Sequence, residues 1–261
     1  MTARLAAVMA LAATLAGCAA RVPARPPAAS TPDPSAVARF VEATRACPGM
    51  RTLTAELRLA GRVGTERIRA RLIAGFAAPA SIRLEAVAPF GPPGFILAGV
   101  NDRARLVFPR ERQVLDEAAV PDVLDALAGL DLGAGDLRRI VSGCVADAEA
   151  RDGRNHGRGW TSVALGAETR VYLRERQGRT LVVAADHDGW QIDYAAHVAG
   201  IPRQVRVRRA GTGVDLTAEV ASLEINVPVP DAAFVVDAPA NAEVITLGAL
   251  RAASPLHARE P

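Results

Sequence analysis

From Thr52 onward apolar residues fall on alternate positions, and that period of two leaves the chain few choices of fold. Leu53, Ala55, Leu57 and Leu59 alternate with Thr52, Thr54, Glu56 and Arg58, the signature of a strand buried on one face and wet on the other. After Val63-Gly64-Thr65-Glu66, the residues Ile68, Ala70, Leu72 and Ala74 alternate with Arg67, Arg69 and Arg71. After Ala77-Ala78-Pro79-Ala80, the residues Ile82, Leu84 and Ala86 alternate with Arg83 and Glu85. Runs of this kind joined by short turns predict an antiparallel meander. Strands resume over residues 160–165, 169–174 and 179–184, then at Trp190, Ile192 and Tyr194, then at Val205 and Val207. Val214, Leu216, Ala218 and Val220 share one parity and Leu223, Ile225 and Val227 the other, which predicts a bulge near Ala221-Ser222.

Helical spacing interrupts this pattern in three places. Val37, Phe40, Val41 and Thr44 follow the start signal Asp33-Pro34 and end before Cys47-Pro48-Gly49. Val120, Val123, Leu124 and Leu127 mark a second helix with Pro121 near its start and Gly129 at its end, and Leu137, Ile140 and Val141 a third between Asp136 and Gly143. Residues 152–159, rich in Gly and charge, read as a mobile loop, Asp231-Ala232-Ala233-Phe234 as one helical turn, and residues 248–261 as a flexible tail. The order helix, strands, helices, strands predicts an α+β protein with a strongly curved antiparallel sheet of about ten or eleven strands. Three amphipathic helices are available to lie over its open mouth. The inward residues are mostly small, which leaves room for an apolar cavity or allows tight packing.

The chain opens with a positive segment, an apolar run and Leu15-Ala16-Gly17-Cys18. The run is too short to span a bilayer, so residues 1–17 read as a signal peptide. Leu-Ala-Gly-Cys resembles the lipobox of bacterial lipoproteins, which implies an acylated Cys18; the alternative is an ordinary signal peptide with Cys18 a free thiol. Residues 18–33, rich in Pro and Ala, read as a tether, and residues 34–247 as the folded domain. With Cys18 lipidated, Cys47 and Cys144 remain in an oxidising compartment, as a disulfide or as two buried thiols.

The net charge is +3, and the basic residues are scattered through alternating strands without interleaved aromatics, which argues against nucleic-acid binding. His156, His187, His197 and His257 lie far apart, and no nucleophile, phosphate-loop or metal motif occurs, so neither an enzyme, a cofactor nor a metal site is expected. One stretch does not fit a surface loop: Ala86-Val87-Ala88-Pro89-Phe90-Gly91-Pro92-Pro93-Gly94-Phe95-Ile96-Leu97. Its Pro and Gly residues break regular structure, yet it is apolar where turns are normally polar. Either Phe90 folds back into a core or it touches something oily outside.

Several of these motifs together resemble the LolA/LolB-like lipoprotein carriers. They are Gly61-Arg62, Arg83-Leu84-Glu85, Ala88-Pro89-Phe90-Gly91, Phe95-Ile96-Leu97, Leu124-Asp125-Ala126-Leu127-Ala128-Gly129 and Leu137-Arg138-Arg139-Ile140-Val141-Ser142-Gly143. In the second half, Gly189-Trp190-Gln191-Ile192-Asp193-Tyr194, Ile201-Pro202-Arg203 and Val205-Arg206-Val207 match as well. The likeness spans residues 52–227. It implies an unclosed β-barrel with a helical lid over a hydrophobic cavity that accepts lipoprotein acyl chains. On the receptor pattern it further implies a lipid anchor in the outer membrane, facing the periplasm, a monomer, and exchange with a periplasmic LolA-like carrier. Pro89, Phe90 and Gly91 fall on the loop that touches the inner leaflet of the outer membrane, although Phe stands where Leu is usual and extra prolines follow. Cys47 and Cys144 lie outside the usual pattern, and Pro228-Val229-Pro230-Asp231-Ala232-Ala233-Phe234 looks more like the soluble carrier's ending. Candidate cavity residues are Leu57, Leu59, Leu72, Leu84, Phe95, Leu97, Leu124, Leu127, Trp190 and Tyr194. A structural or assembly lipoprotein that uses this fold to bind another envelope protein is the alternative.

Overall fold

A computed structural model describes residues 25–146 and 148–253. The elements run β1 (Thr31–Pro32), α1 (Ser35–Ala43), β2 (Thr52–Val63), β3 (Glu66–Ala77), β4 (Ser81–Ala86), β5 (Ile96–Val100), β6 (Arg103–Phe108) and β7 (Gln113–Ala119). Two helices follow, α2 (Val120–Ala128) and α3 (Ala134–Ser142). Then come β8 (Ala150–Gly157), β9 (Trp160–Leu165), β10 (Thr169–Arg176), β11 (Arg179–His187), β12 (Trp190–Ala195), β13 (Gln204–Arg209) and β14 (Val214–Ile225). A 3-10 turn (Asp231–Phe234), β15 (Glu243–Val244) and α4 (Leu247–Ala253) complete the described chain.

All the strands join one sheet in the order β1-β8-β9-β10-β11-β12-β13-β14-β2-β3-β4-β5-β6-β7-β15, which does not close on itself. Every pairing is antiparallel except that of β15 with β7. The chain's late and early strands therefore meet in the middle, where β14 pairs along the length of β2. Their register shifts between Val220 and Ser222, at the predicted bulge. One contact in this seam needs glycine. Gly61 has φ +152°, and a Cβ there would collide with the Asp215 carbonyl oxygen.

The α+β class and the curved, unclosed antiparallel sheet match the expectation, but the 15 strands among the described residues exceed it. Two of the additional strands have only two residues each, β1 and β15, too short to leave a periodic signal. Another, β8, occupies the segment expected to be a mobile loop. None of its residues is buried and half are exposed, and backbone hydrogen bonds to β9 hold it, so hydrophobic alternation could not reveal it. The expected tail likewise begins as α4, which buries Leu250 against the core beside α2 and brings Arg251 to 3.5 Å from Asp125. At the other end, residues 25–33 of the expected tether lie against the sheet. Arg25 approaches Asp186 at 3.2 Å and Asp193 at 3.4 Å and donates to the Ala185 carbonyl.

The interior consists of two apolar clusters. One gathers β2–β7, α2 and α4 around Leu53, Phe76, Ile82, Leu97 and Leu106. The other gathers α1 and β9–β14 around Trp190, Ile192, Tyr194, Leu173 and Leu216. Helix α3 is shared: Val141 enters the first cluster and Ile140 the second, while Leu59, Leu130 and Leu137 touch both. Its N-terminus is seated by Asp102, which accepts the Ala134 N–H at 2.7 Å, and by Asp136, which accepts the Gly133 N–H.

Candidate functional site

The apolar corner lies between β4 and β5. Hydrogen bonds at its base continue the sheet: Ala86 N–H donates to Phe95 O, Gly94 N–H to Ala86 O and Val87 N–H to Arg71 O. Beyond them Gly91 takes φ +76°, turning the chain where an L side chain would be strained. Arg110, in the β6–β7 turn, reaches across and donates to the Phe90 carbonyl at 2.6 Å and the Pro92 carbonyl at 3.2 Å. This grip satisfies the turn's backbone and leaves the Phe90 side chain outside, 88% exposed. An exposed phenylalanine on a proline-braced turn is costly to leave in water.

Beside it opens a groove of about 700 Å³. Leu59, Ala60, Ala70, Val87, Ala88 and Pro89 supply apolar wall, and Arg58, Arg69, Arg71, Thr217 and Glu219 supply its polar lining. Leu59 and Ala70 are only partly buried and pack against the first cluster, as do Ala86 and Phe95. The groove thus adjoins apolar side chains continuous with the core.

A second opening, about 720 Å³, lies toward the start of β2. It is bounded by α1, the β10–β11 turn, Ile201-Pro202 and the Cys47–Cys144 disulfide. That bond joins the chain just after α1 to the chain just after α3, with Cα atoms 5.7 Å apart. Arg39, Glu42, Arg45 and Arg179 line this opening, with Met50, Val182 and Ile225.

Cys18, the predicted lipidation residue, lies outside the described residues. Pro89 lines the groove, Phe90 is exposed at its side, and Gly91 supplies the turn. Of the cavity candidates, Leu57, Leu72, Leu84, Leu97 and Leu124 are buried in the first cluster, with Leu59, Phe95 and Leu127 packed against it. Trp190 and Tyr194 are buried in the second, so the structure separates them from the other candidates. Leu59 is the one candidate that lines either opening. Sequence reasoning missed Arg110, whose role depends on a contact between two turns. It also missed the meeting of arginines from β2 and β3 at the groove, which follows from register.

Polar groups inside the fold are largely structural. Trp190 Nε1–H donates to Asp131 at 2.8 Å, and Arg209 lies over the Trp190 ring while reaching the same carboxylate. His187 accepts or donates at Thr169 Oγ1, 2.7 Å away, and faces Asp136 at 3.8 Å and Asp188 at 3.6 Å. The Asp136 carboxylate raises the His187 pKa, against an opposing effect of burial. In return His187, Arg139 and the Gly133 N–H pull Asp136 down to about 2. Burial pushes the Asp193 carboxyl up, although Arg25 and Arg208 oppose it. Among the described residues, no group of three or more His, Cys, Asp or Glu is placed to hold a metal ion.

Fold and site together define an α+β protein built on an unclosed, curved antiparallel sheet with helices against its apolar interior. No protein-family model matches the sequence, and no curated protein matches it either. Among solved structures the chain is similar to a DUF1329 family protein from Desulfovibrio piger, at 14% identity and a TM-score of 0.52, over 78% of this chain and 97% of that one. At that identity the likeness concerns the fold. It is also similar to a LolA superfamily protein from Nitrosomonas europaea, at 10% identity and a TM-score of 0.47, over 77% and 97% of the two chains. A putative outer membrane lipoprotein-sorting protein domain from Vibrio parahaemolyticus aligns at 11% identity and a TM-score of 0.44, over 76% and 95%.

Proposed function

We propose that this protein is a lipid-anchored lipoprotein of the outer membrane, facing the periplasm, that binds acyl chains of lipoproteins or lipids and helps insert them into that membrane. The observation that carries the proposal is Phe90, 88% exposed beside a groove whose apolar wall is continuous with the core. The groove falls within the size range of small-molecule sites, about 300–1,000 Å³. Each methylene buried along it contributes about 0.8 kcal/mol, opposed by the cost of moving packed side chains around Leu59 and α3. The Leu-Ala-Gly-Cys sequence and the resemblance to LolA/LolB-like proteins support an anchor at Cys18 and exchange with a soluble periplasmic carrier. The protein acts as a monomer and needs no cofactor.

Native mass spectrometry of the protein extracted from membranes tests the capture step, with a bound lipid or lipopeptide expected. Phe90→Glu is expected to leave that cargo bound while slowing its delivery to vesicles. Loss of uptake together with delivery would make the corner a structural element instead. One observation favours a second role, that of a protein-binding envelope module: most of the cavity candidates are buried in packed clusters. A stoichiometric protein partner recovered without lipid would decide for that role.

A further inference from the structure

Strand register assembles an arginine field that the linear sequence hides. In the β2–β3 hairpin, Arg58 lies directly opposite Arg71, Arg62 opposite Arg67, and Ala60 opposite Arg69. Like charges facing each other across a ladder are destabilising, so such a stack has a cost that the fold alone does not require. Arg71 is relieved by Glu56 at 2.8 Å. Arg58, Arg62, Arg67 and Arg69 are exposed and have no ion pair among the described residues. Across the other edge of β2, Glu219 faces Arg58 without pairing with it, Thr217 faces Ala60, and Asp215 faces Arg62 but is taken by Arg206. Several other outward arginines meet acids, as Arg83 does with Glu85 at 2.5 Å, Arg105 with Asp116 at 2.5 Å and Arg209 with Asp131 at 2.7 Å. Of those without an ion pair among the described residues, Arg158 lies in a turn and Arg176 faces Arg179 across the β10–β11 ladder, and none of these three lines the groove beside Phe90.

Two of the unpaired arginines, Arg58 and Arg69, line the groove whose wall includes Pro89, the residue before Phe90. Guanidinium groups beside an exposed aromatic tip match an amphiphile with phosphate at one end and hydrocarbon at the other. We infer that the outer arginine field of the β2–β3 hairpin binds anionic phospholipid headgroups of the membrane surface while Phe90 enters the hydrocarbon beside them. This rests on the proposed membrane contact of Phe90 and adds the lipid class that the contact selects.

The test uses the full-length chain carrying Cys18→Ala, so that an acyl anchor cannot mask weaker contacts, in cosedimentation with vesicles. Vesicles of phosphatidylglycerol mixed with phosphatidylcholine are expected to bind several-fold more tightly than phosphatidylcholine alone, with the preference lost at high salt. An arginine near an anionic surface is worth about fivefold in binding, so Arg58→Gln/Arg69→Gln is expected to weaken binding to the mixed vesicles about 25-fold. Binding to phosphatidylcholine alone is expected to stay unchanged, and the melting temperature to hold or rise slightly as the Arg58–Arg71 repulsion is removed. Arg158→Gln, in the β8–β9 turn, serves as the control for loss of a surface charge away from the groove and is expected to change binding less than twofold. Equal binding by the double variant and the parent, or an equal loss with Arg158→Gln, overturns the inference. Displacement by inorganic phosphate at matched ionic strength also overturns it, since the site would then take a small anion. Should Phe90→Glu abolish binding to both vesicle types while the double variant binds normally, the arginine inference fails and the membrane contact of Phe90 stands. Should Phe90→Glu change neither, that contact fails as well.

Discussion

The two ends of β2 are built on opposite plans. Where β2 begins, the backbone is tied from several sides. Asn226 accepts the Arg51 N–H and donates to Gly49 O, the buried Arg138 donates to Met50 O at 2.7 Å, and the Cys47–Cys144 bond clamps the same turn to α3. Of the charged groups that border the opening there, Arg39 is bound to Asp33 and Arg45 to Glu42, while Arg179 has no ion pair among the described residues. Toward the far end the groove has an apolar wall and unpaired arginines, and the corner beside it is held by its base and by Arg110. The first end spends most of its polar groups on the fold. The second leaves its Phe90 side chain, Arg58 and Arg69 free for something outside, with Arg71 held by Glu56.

The sharpest way to break this comparison is to cut the tie at the first end. The disulfide closes a loop of 97 residues in sequence separation, so Cys47→Ser/Cys144→Ser is expected to lose about 4–5 kcal/mol of stability. Denaturant unfolding measures it; a loss under about 1 kcal/mol would mean that hydrogen bonds alone secure this end. Next in size is the β14–β2 seam that backs the groove. Gly61→Ala forces a methyl group against the Asp215 carbonyl and is expected to cost about 1–3 kcal/mol in the same measurement.

A smaller effect concerns the seat of α3 between the clusters. The His187 pKa is raised above its ordinary 6.5, so protonated His187 stabilises the fold below that pH, and the contribution is lost as pH rises through the folded value. Asp136, held at about 2 against an ordinary 3.8, contributes above the ordinary value and loses its contribution as pH falls toward 2. The melting temperature is therefore expected to peak at roughly pH 4–6 and to decline gently toward pH 8. His187→Gln should flatten the neutral side of that profile; an unchanged slope would assign it to other groups. The smallest effect on stability is expected at the corner itself. Phe90→Glu should shift unfolding by no more than about 0.5 kcal/mol, because the side chain stands in solvent. A larger loss would show that the corner supports the fold and erase the contrast between the two ends.

Much of the sheet was legible because long strands such as β2 bury one face, so Leu53, Ala55 and Leu57 mark their own parity, while in β12 the apolar Trp190, Ile192 and Tyr194 do so although Asp193 is buried too. The bulge in β14 was legible for the same reason: a parity flip has few other causes. Strand β8 was not, since its polar side chains carry no trace of the backbone bonds that hold it to β9. The separation of Trp190 and Tyr194 from the Leu84 and Leu97 cluster was also hidden, because a shared inward parity says which face is buried and not which neighbours are met.

By itself the sequence determined the class of fold, the two cysteines available to pair, and the oddness of an apolar corner at Pro89-Phe90-Gly91. Those properties are local, written in periodicity and in the backbone limits of Pro and Gly. Tertiary structure alone decided that Phe90 faces outward, that Arg110 holds its carbonyl, and that Arg58 and Arg69 gather beside it. Each of these depends on register or on contact between strands far apart in the chain, and no local pattern encodes that distance.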